Sequence, residues 1–181
     1  MAKAGVSGGA KADKALQQRI AQVAKMPHVR VGFLENSTND KGVSIPMIAA
    51  IQEFGAPRAR IPPRPFFRTM IAKHQAEWGP EIAALMKANH NDTDKVLKLM
   101  GQRIAEELQQ SIVDLHAPAL SPVTLMLRWM RWKSPALVVT GRTVGEAAAR
   151  VAAGKSSAGV SIKPLVDTKQ MLKSVAFEVV K

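Results

Sequence analysis

The chain of 181 residues contains no cysteine and no tyrosine, and aromatic residues make up only 4% of it. The missing thiols exclude disulfide scaffolds, iron–sulfur clusters, thiolate zinc sites and cysteine nucleophiles together. The sparse aromatics argue against a base-stacking platform spread over the surface. No stretch approaches the ~18 consecutive apolar residues needed to span a bilayer, and the first ten residues lack the hydrophobic run of a signal peptide. Synthesis in the cytoplasm and no membrane partner are therefore expected. Acids are scarce too: 26 Lys+Arg stand against 14 Asp+Glu, a net charge of +12.

What is present has the composition of a globular protein. Apolar residues reach 46% and charged residues 22%, with 12 glycines and 11 prolines. A chain of this length buries about 70% of its unfolded surface, enough for one ordinary core. Residues 1–9 read as a flexible tail and 10–181 as a single domain, with 135–163 as a candidate insertion. The charge is uneven. Residues 76–120 carry net −3, so the other segments share +15. Arg58, Arg60, Arg64, Arg68 and Lys73 lie in 57–75 with no acid among them, and 121–155 has six basic groups against Glu146 alone. Such fields favour an anionic partner, whether nucleic acid or an acidic protein surface.

Periodicity places the elements. Leu16, Ile20 and Val23 mark one face of a helix from about Ala10 to Met26, closed by Pro27. Val29, Val31 and Phe33 alternate with polar neighbours as in a half-buried strand. Ser44 is placed to cap a short helix that holds Ile48 and Ile51 and stops at Gly55. Pro57, Pro62, Pro63 and Pro65 predict a stiff extended connector, because proline fixes φ and lacks a donor. A helix restarts near Phe66, breaks at Gly79-Pro80 and resumes through Ile82. Val96, Met100, Ile104, Leu108, Ile112 and Leu115 keep a helical stripe over Thr93–Leu115. Ser121-Pro122 opens a helix with Leu125, Trp129 and Trp132 on one face, Thr143-Val-Gly-Glu146 resembles a capping box, and Val175, Phe177 and Val179 end the chain on a strand. The sum is an α+β fold: a small antiparallel sheet packed against several helices including one long helix, with extended N-terminal and Pro/Arg-rich arms.

Catalytic signatures are weak. Ala149 to Ser156 fits a permissive phosphate-loop pattern, but a helix precedes Gly154 where a strand is needed, so Gly154-Lys155 reads as a helix C-terminus. His28, His74, His90 and His116 show no metal-ligating spacing, and Asp92/Asp94 and Glu106/Glu107 diverge on a helix instead of forming a dyad. Neither Ser111 nor Ser121 belongs to a readable triad with His116. No enzyme, no cofactor and no metal are expected. Arg128-Trp129-Met130-Arg131-Trp132-Lys133 mixes cations and indoles: the first reading is core tryptophans with solvated cations, and among the functional readings, nucleic acid, membrane interface or protein hot spot, a protein contact is the best.

Three blocks carry a resemblance: Ile48-Ala-Ala-Ile-Gln-Glu53-Phe54-Gly55-Ala-Pro57, Ile61-Pro-Pro-Arg64-Pro65-Phe66-Phe67-Arg68, and Lys163-Pro-Leu-Val-Asp167-Thr168 with Met171-Leu-Lys-Ser174. With Ser121-Pro-Val-Thr124-Leu125 between them, the chain resembles the tail-completion and virion-morphogenesis family of tailed bacteriophages and prophages, over roughly residues 29–134 and 164–180. Lys169 stands where that family usually has glycine. The resemblance implies a non-enzymatic structural virion protein of the neck or tail end, assembled in the host cytoplasm as a ring, hexameric if it stacks on a six-fold tail tube. Its implied partners are copies of itself, tail-tube or terminator proteins, head–tail connector proteins and, if the ring encloses the channel, DNA. Residues expected to make subunit or neck contacts are Phe54, Arg58, Arg60, Arg64, Phe66, Phe67, Arg68, Arg128, Trp129, Arg131 and Trp132. On this view Arg64→Glu with Arg68→Glu folds but assembles poorly. The alternative is a sequence-nonspecific nucleic-acid-binding protein, whose affinity falls steeply with salt.

Overall fold

The two alternating stretches from opposite ends of the chain find each other. Strand β1 (His28–Phe33) pairs antiparallel with β2 (Val175–Val180), from His28 opposite Val180 to Phe33 opposite Val175. A two-stranded ribbon is marginal in water and needs a partner on one face. In this computed structural model, which describes residues 13–18, 26–35, 37–39, 42–165 and 169–181, that partner is helical.

The main helices are α1 (Ile45–Phe54), α2 (Phe66–Ala88), α3 (Thr93–Asp114), α4 (Pro122–Lys133), α5 (Gly141–Ala152) and the single turn α6 (Gln170–Lys173). The architecture is α+β, as the sequence predicts. Helix α3 buries Val96, Met100, Gly101, Ala105, Leu108 and Ile112, nearly the stripe expected, with Ala105 taking the place of the half-buried Ile104. It lies across both strands and runs antiparallel to α2. Gly101 permits this approach: a Cβ there would fall 2.4 Å from the Phe177 ring and 2.8 Å from Val29. One core joins Ile45, Ala49, Phe66, Met70, Leu108, Ile112, Leu165, Met171 and Val175, and a separate small core joins Met126, Met130 and Ala147 between α4 and α5.

Several expectations need correction. Gly79-Pro80 does not break α2, which runs for 23 residues through Pro80. The adjoining turns are tied to α3, with Trp78 Nε1 donating to Glu107 at 2.9 Å and Arg103 bonded to Glu81. Tertiary contact thus overrides the backbone hydrogen bond that proline removes. The 56–65 segment is not an extended arm. A 3-10 turn (Pro57–Ala59) and a bridge between Ala56 and Ile61 fold it back, and only its second half is extended. Helix α5 starts earlier than expected, capped by Thr140, whose hydroxyl accepts Thr143 N–H while the Thr143 hydroxyl accepts Thr140 N–H. Glu146 pairs instead with Arg142. Helix α4 turns Met126 and Met130 inward rather than Leu125 and Trp132. Residues 13–18 are helical, whereas the tail 1–9 and most of the expected Ala10–Met26 helix lie outside the described residues. Among the described residues no helix is long and apolar enough to cross a membrane.

Candidate functional site

The Glu-Phe-Gly to Arg-Pro-Phe-Phe-Arg block closes into one local clamp. Helix α2 begins at Pro65-Phe66 without a capping side chain of its own, so its first N–H groups need an outside acceptor. Glu53, at the end of α1, supplies it. Its carboxylate accepts Phe67 N–H at 2.9 Å and Arg68 N–H at 3.2 Å, and pairs with Arg68 Nε at 2.8 Å. The negative charge also sits at the positive end of α2. Gly55 turns the chain out of α1 with φ 77°, and a Cβ there would lie 2.9 Å from Ile61 O and Pro63 N, so the close crossing of the loop requires glycine.

Two concave surfaces flank the clamp. The first is an apolar groove of about 310 Å³ lined by Phe33, Pro46, Ala50, Phe54 and Phe67. Phe54 is 67% exposed at its rim, with the Arg68 guanidinium 5.2 Å from its ring centre. The second is a basic recess of about 620 Å³, bordered by Arg60, Arg64, Arg128 and Arg131, by the apolar Ile61, Leu127 and Pro164, and by Ser121 and Thr124 at the start of α4. Among the described residues no acid lines it. Arg64 is 6% exposed. Its Nη1 donates to Gln52 Oε1 at 2.9 Å, and its buried Nε has no acceptor among the described residues. Burial, and then the nearby Arg128 guanidinium, push its pKa below the ordinary arginine value. Arg128 donates to the carbonyls of Ser161, Lys163 and Pro164 at 2.6, 2.8 and 3.0 Å, fastening the 161–165 segment to α4.

The fold therefore sorts the expected contact residues. Arg60, Arg64, Arg128 and Arg131 converge on the recess, and Phe54, Phe66, Phe67 and Arg68 on the groove. Phe66, however, is a core residue at 1% exposure, set edge-on to Phe33. Arg64 and Arg128 are buried structural cations rather than projecting contacts. Arg64→Glu with Arg68→Glu consequently attacks the clamp itself and is not a clean assembly variant. Arg58 is exposed on the turn and stands apart from both cavities. Trp129 is half-buried against the α4–α5 core, whereas Trp132 is 59% exposed with Lys133 Nζ 4.2 Å from its ring centre.

Glu53 and Gln52 escaped the charge-based reading of the sequence. Their signal was present as a glutamate ending an apolar helix four residues after the buried Ala49. His74 also departs from expectation: with Glu77 and Glu107 it brings three ligand-type atoms within 4.8 Å. Arg103 occupies the same cluster, donating to Glu107 at 3.0 Å, to Glu77 at 3.4 Å and to Glu81, so those carboxylates already serve a cation. The donor set fits an interhelical ion-pair network, and hydrogen bonding to Glu107 holds the Arg103 pKa above its usual value. Gly154 at φ 69° ends α5 with Gly154 N–H bonded to Val151 O and Lys155 N–H to Arg150 O, a helix-stop geometry and not a phosphate loop. Ser111 donates to Phe66 O and Ser121 caps α4. No protein-family model, curated protein or solved structure matches the chain.

Proposed function

We propose that the chain is a structural, non-enzymatic virion protein of a tailed bacteriophage or prophage, a tail-completion or neck component at the head–tail junction that assembles as a ring. Tail-tube or terminator proteins and the head–tail connector are its neighbours in that reading, with six copies where it stacks on a six-fold tube. The supporting observation is the clamp. Two of the blocks that carry the family resemblance, 48–57 and 61–68, form one contiguous unit in which Glu53, Arg64 and Phe66 are buried, while Phe54 and Arg58 are exposed; Val166, Asp167 and Thr168 of a further block lie outside the described residues. A ring subunit needs such a rigid projection with an apolar side chain and a cation at its tip, since closed rings use heterologous contacts between different patches. The segment 76–120, with its net charge of −3, offers a complementary patch on the next subunit.

The test is absolute mass by light scattering after size exclusion, at low and high salt and after nuclease treatment, with Phe54→Ser/Arg58→Glu as the interface variant. A salt-stable multimer that the double variant reduces to monomer supports the ring. A large species that collapses with nuclease favours the nucleic-acid alternative. A monomer under every condition overturns self-assembly.

A further inference from the structure

We infer that the two-stranded sheet is continued between copies of this chain, the open edge of β1 in one copy pairing antiparallel with the open edge of β2 in the next. The inference rests on the ring reading and names a second contact that closes the ring. With only two strands in the sheet, each strand keeps one edge that has no ladder partner among the described residues. Neither an isolated bridge nor a further backbone hydrogen bond among those residues satisfies these edges. A row of open N–H and C=O groups is a template for another strand, and proteins that keep such an edge single blunt it with proline, lysine or a bulge. His28–Phe33 and Val175–Val180 contain neither proline nor lysine, and their register runs without a bulge. The approach to β1 is also open, since Arg30, Val31, Gly32, Phe33, Leu34 and Glu35 line a cleft of about 690 Å³.

Charge selects the occupant. Helix α3 covers the face of the sheet that bears Val29 and Phe177. Arg30 and Glu178 stand exposed on the other face, directly opposite in the ladder and paired at 3.5 Å. Strand β1 holds Arg30 and no acid, and β2 holds Glu178 and no base. A β1–β1 or β2–β2 contact between copies therefore brings no opposite charges together, whereas β1 against the next β2 repeats the Arg30–Glu178 pair across the interface. Hydrogen-bond phase agrees. Residues directly opposite in an antiparallel ladder turn their N–H and C=O groups both toward the partner or both away from it, so two positions matched inside the chain are matched again on the outer edges. A slip by one residue would set Arg30 against the apolar face of the neighbour, which pins the register. Pairing of unlike edges is a heterologous contact, and a closed ring of such contacts leaves no edge bare.

The experiment is disulfide trapping, for which a sequence without cysteine is suited. Cα atoms directly opposite in a ladder lie about 4.5–5.5 Å apart, within disulfide range. Arg30→Cys and Glu178→Cys, both at exposed positions, are placed in separate full-length copies that are co-expressed and then oxidised with glutathione disulfide. Neither copy can close the bond internally. The expected product is a disulfide joining position 30 of one copy to position 178 of another, at least about 10-fold above the yield of Arg30→Cys with the exposed Arg142→Cys, because the interface holds the first pair at high effective concentration. A multimer that lacks this bond, or in which symmetric 30–30 or 178–178 bonds predominate, overturns the edge pairing and leaves the ring standing. A monomer that forms no bond overturns both. If the cysteine variants fail to fold, hydrogen exchange of the unaltered chain is read instead: the outer-edge amides of 28–33 and 175–180 are expected to be protected in the multimer and to exchange in the Phe54→Ser/Arg58→Glu monomer, and fast exchange in the multimer overturns the inference.

Discussion

A carboxylate that is 5% exposed must have its charge compensated, and Glu53 meets that demand through two N–H groups of α2 and the Arg68 guanidinium. The partners differ in wetness, because the Arg68 side chain remains 58% exposed. The ion pair is therefore partly screened and the buried N–H contacts dominate. Glu53→Ala is expected to cost about 2–4 kcal/mol, below the full penalty of splitting a wholly buried pair, and Arg68→Gln only about 1 kcal/mol. Urea unfolding measures both, and equal effects would sink the view that Glu53 works mainly as the external cap of α2. Lys169 offers the converse case. It adopts φ 55°, the conformation that glycine accepts without strain and lysine does not, at the position where the resembled family carries glycine. Lys169→Gly should raise stability by up to about 1 kcal/mol, and a loss of that size would mean that the lysine side chain has a compensating role.

Among the elements, α3 was the most legible because one periodic stripe on a capped helix has only one face to bury. The stripe from Val96 to Ile112 falls where spacing puts it except that Ala105 is buried in place of Ile104, and Asp92, which the spacing did not single out, caps the helix by accepting Lys95 N–H. The strands were legible for the same reason at period two. The 56–65 loop and Pro80 were not, since proline chemistry is local while the contacts that decide these segments join residues well apart in sequence: Glu53 to Phe67 and Arg68, Trp78 to Glu107, and Arg103 to Glu81. The recess was legible only as composition: the arginines could be counted, but their convergence depends on the α1–α2 turn meeting α4. Two substitutions test the tertiary argument. Gly101→Ala improves helix propensity by about 1 kcal/mol, yet places a methyl against Phe177 and Val29. Overpacking of about 1–3 kcal/mol should prevail, so the variant loses stability and α3 is displaced from the sheet. Pro80→Ala restores an exposed helical N–H without touching the core and should stabilise by about 1–3 kcal/mol. No gain there would mean that α2 is already bent around the proline at little cost.

At the scale of the whole molecule, the two cores are unequal and are joined through few contacts. The larger one spans the sheet, α1, α2 and α3, while the smaller consists of Met126, Met130 and Ala147 with half-buried neighbours between α4 and α5. So small a core does not sustain a helical pair alone, because three buried side chains recover little of the entropy lost in ordering two helices. Its order must be borrowed. Arg128 is the coupling: it projects from α4 onto three consecutive-region carbonyls of Ser161, Lys163 and Pro164, and the next residue, Leu165, is buried in the larger core. Arg128→Leu leaves those carbonyls without this donor and is expected to cost about 3 kcal/mol, unevenly distributed over the molecule. Hydrogen exchange should show α4 and α5 losing protection first, with α2, α3 and the strands retaining theirs, as expected of a cooperative unit released from its anchor. Uniform loss across all helices would instead mean that the two cores open as one, and that the α4–α5 pair is an integral part of the domain and not an appended unit.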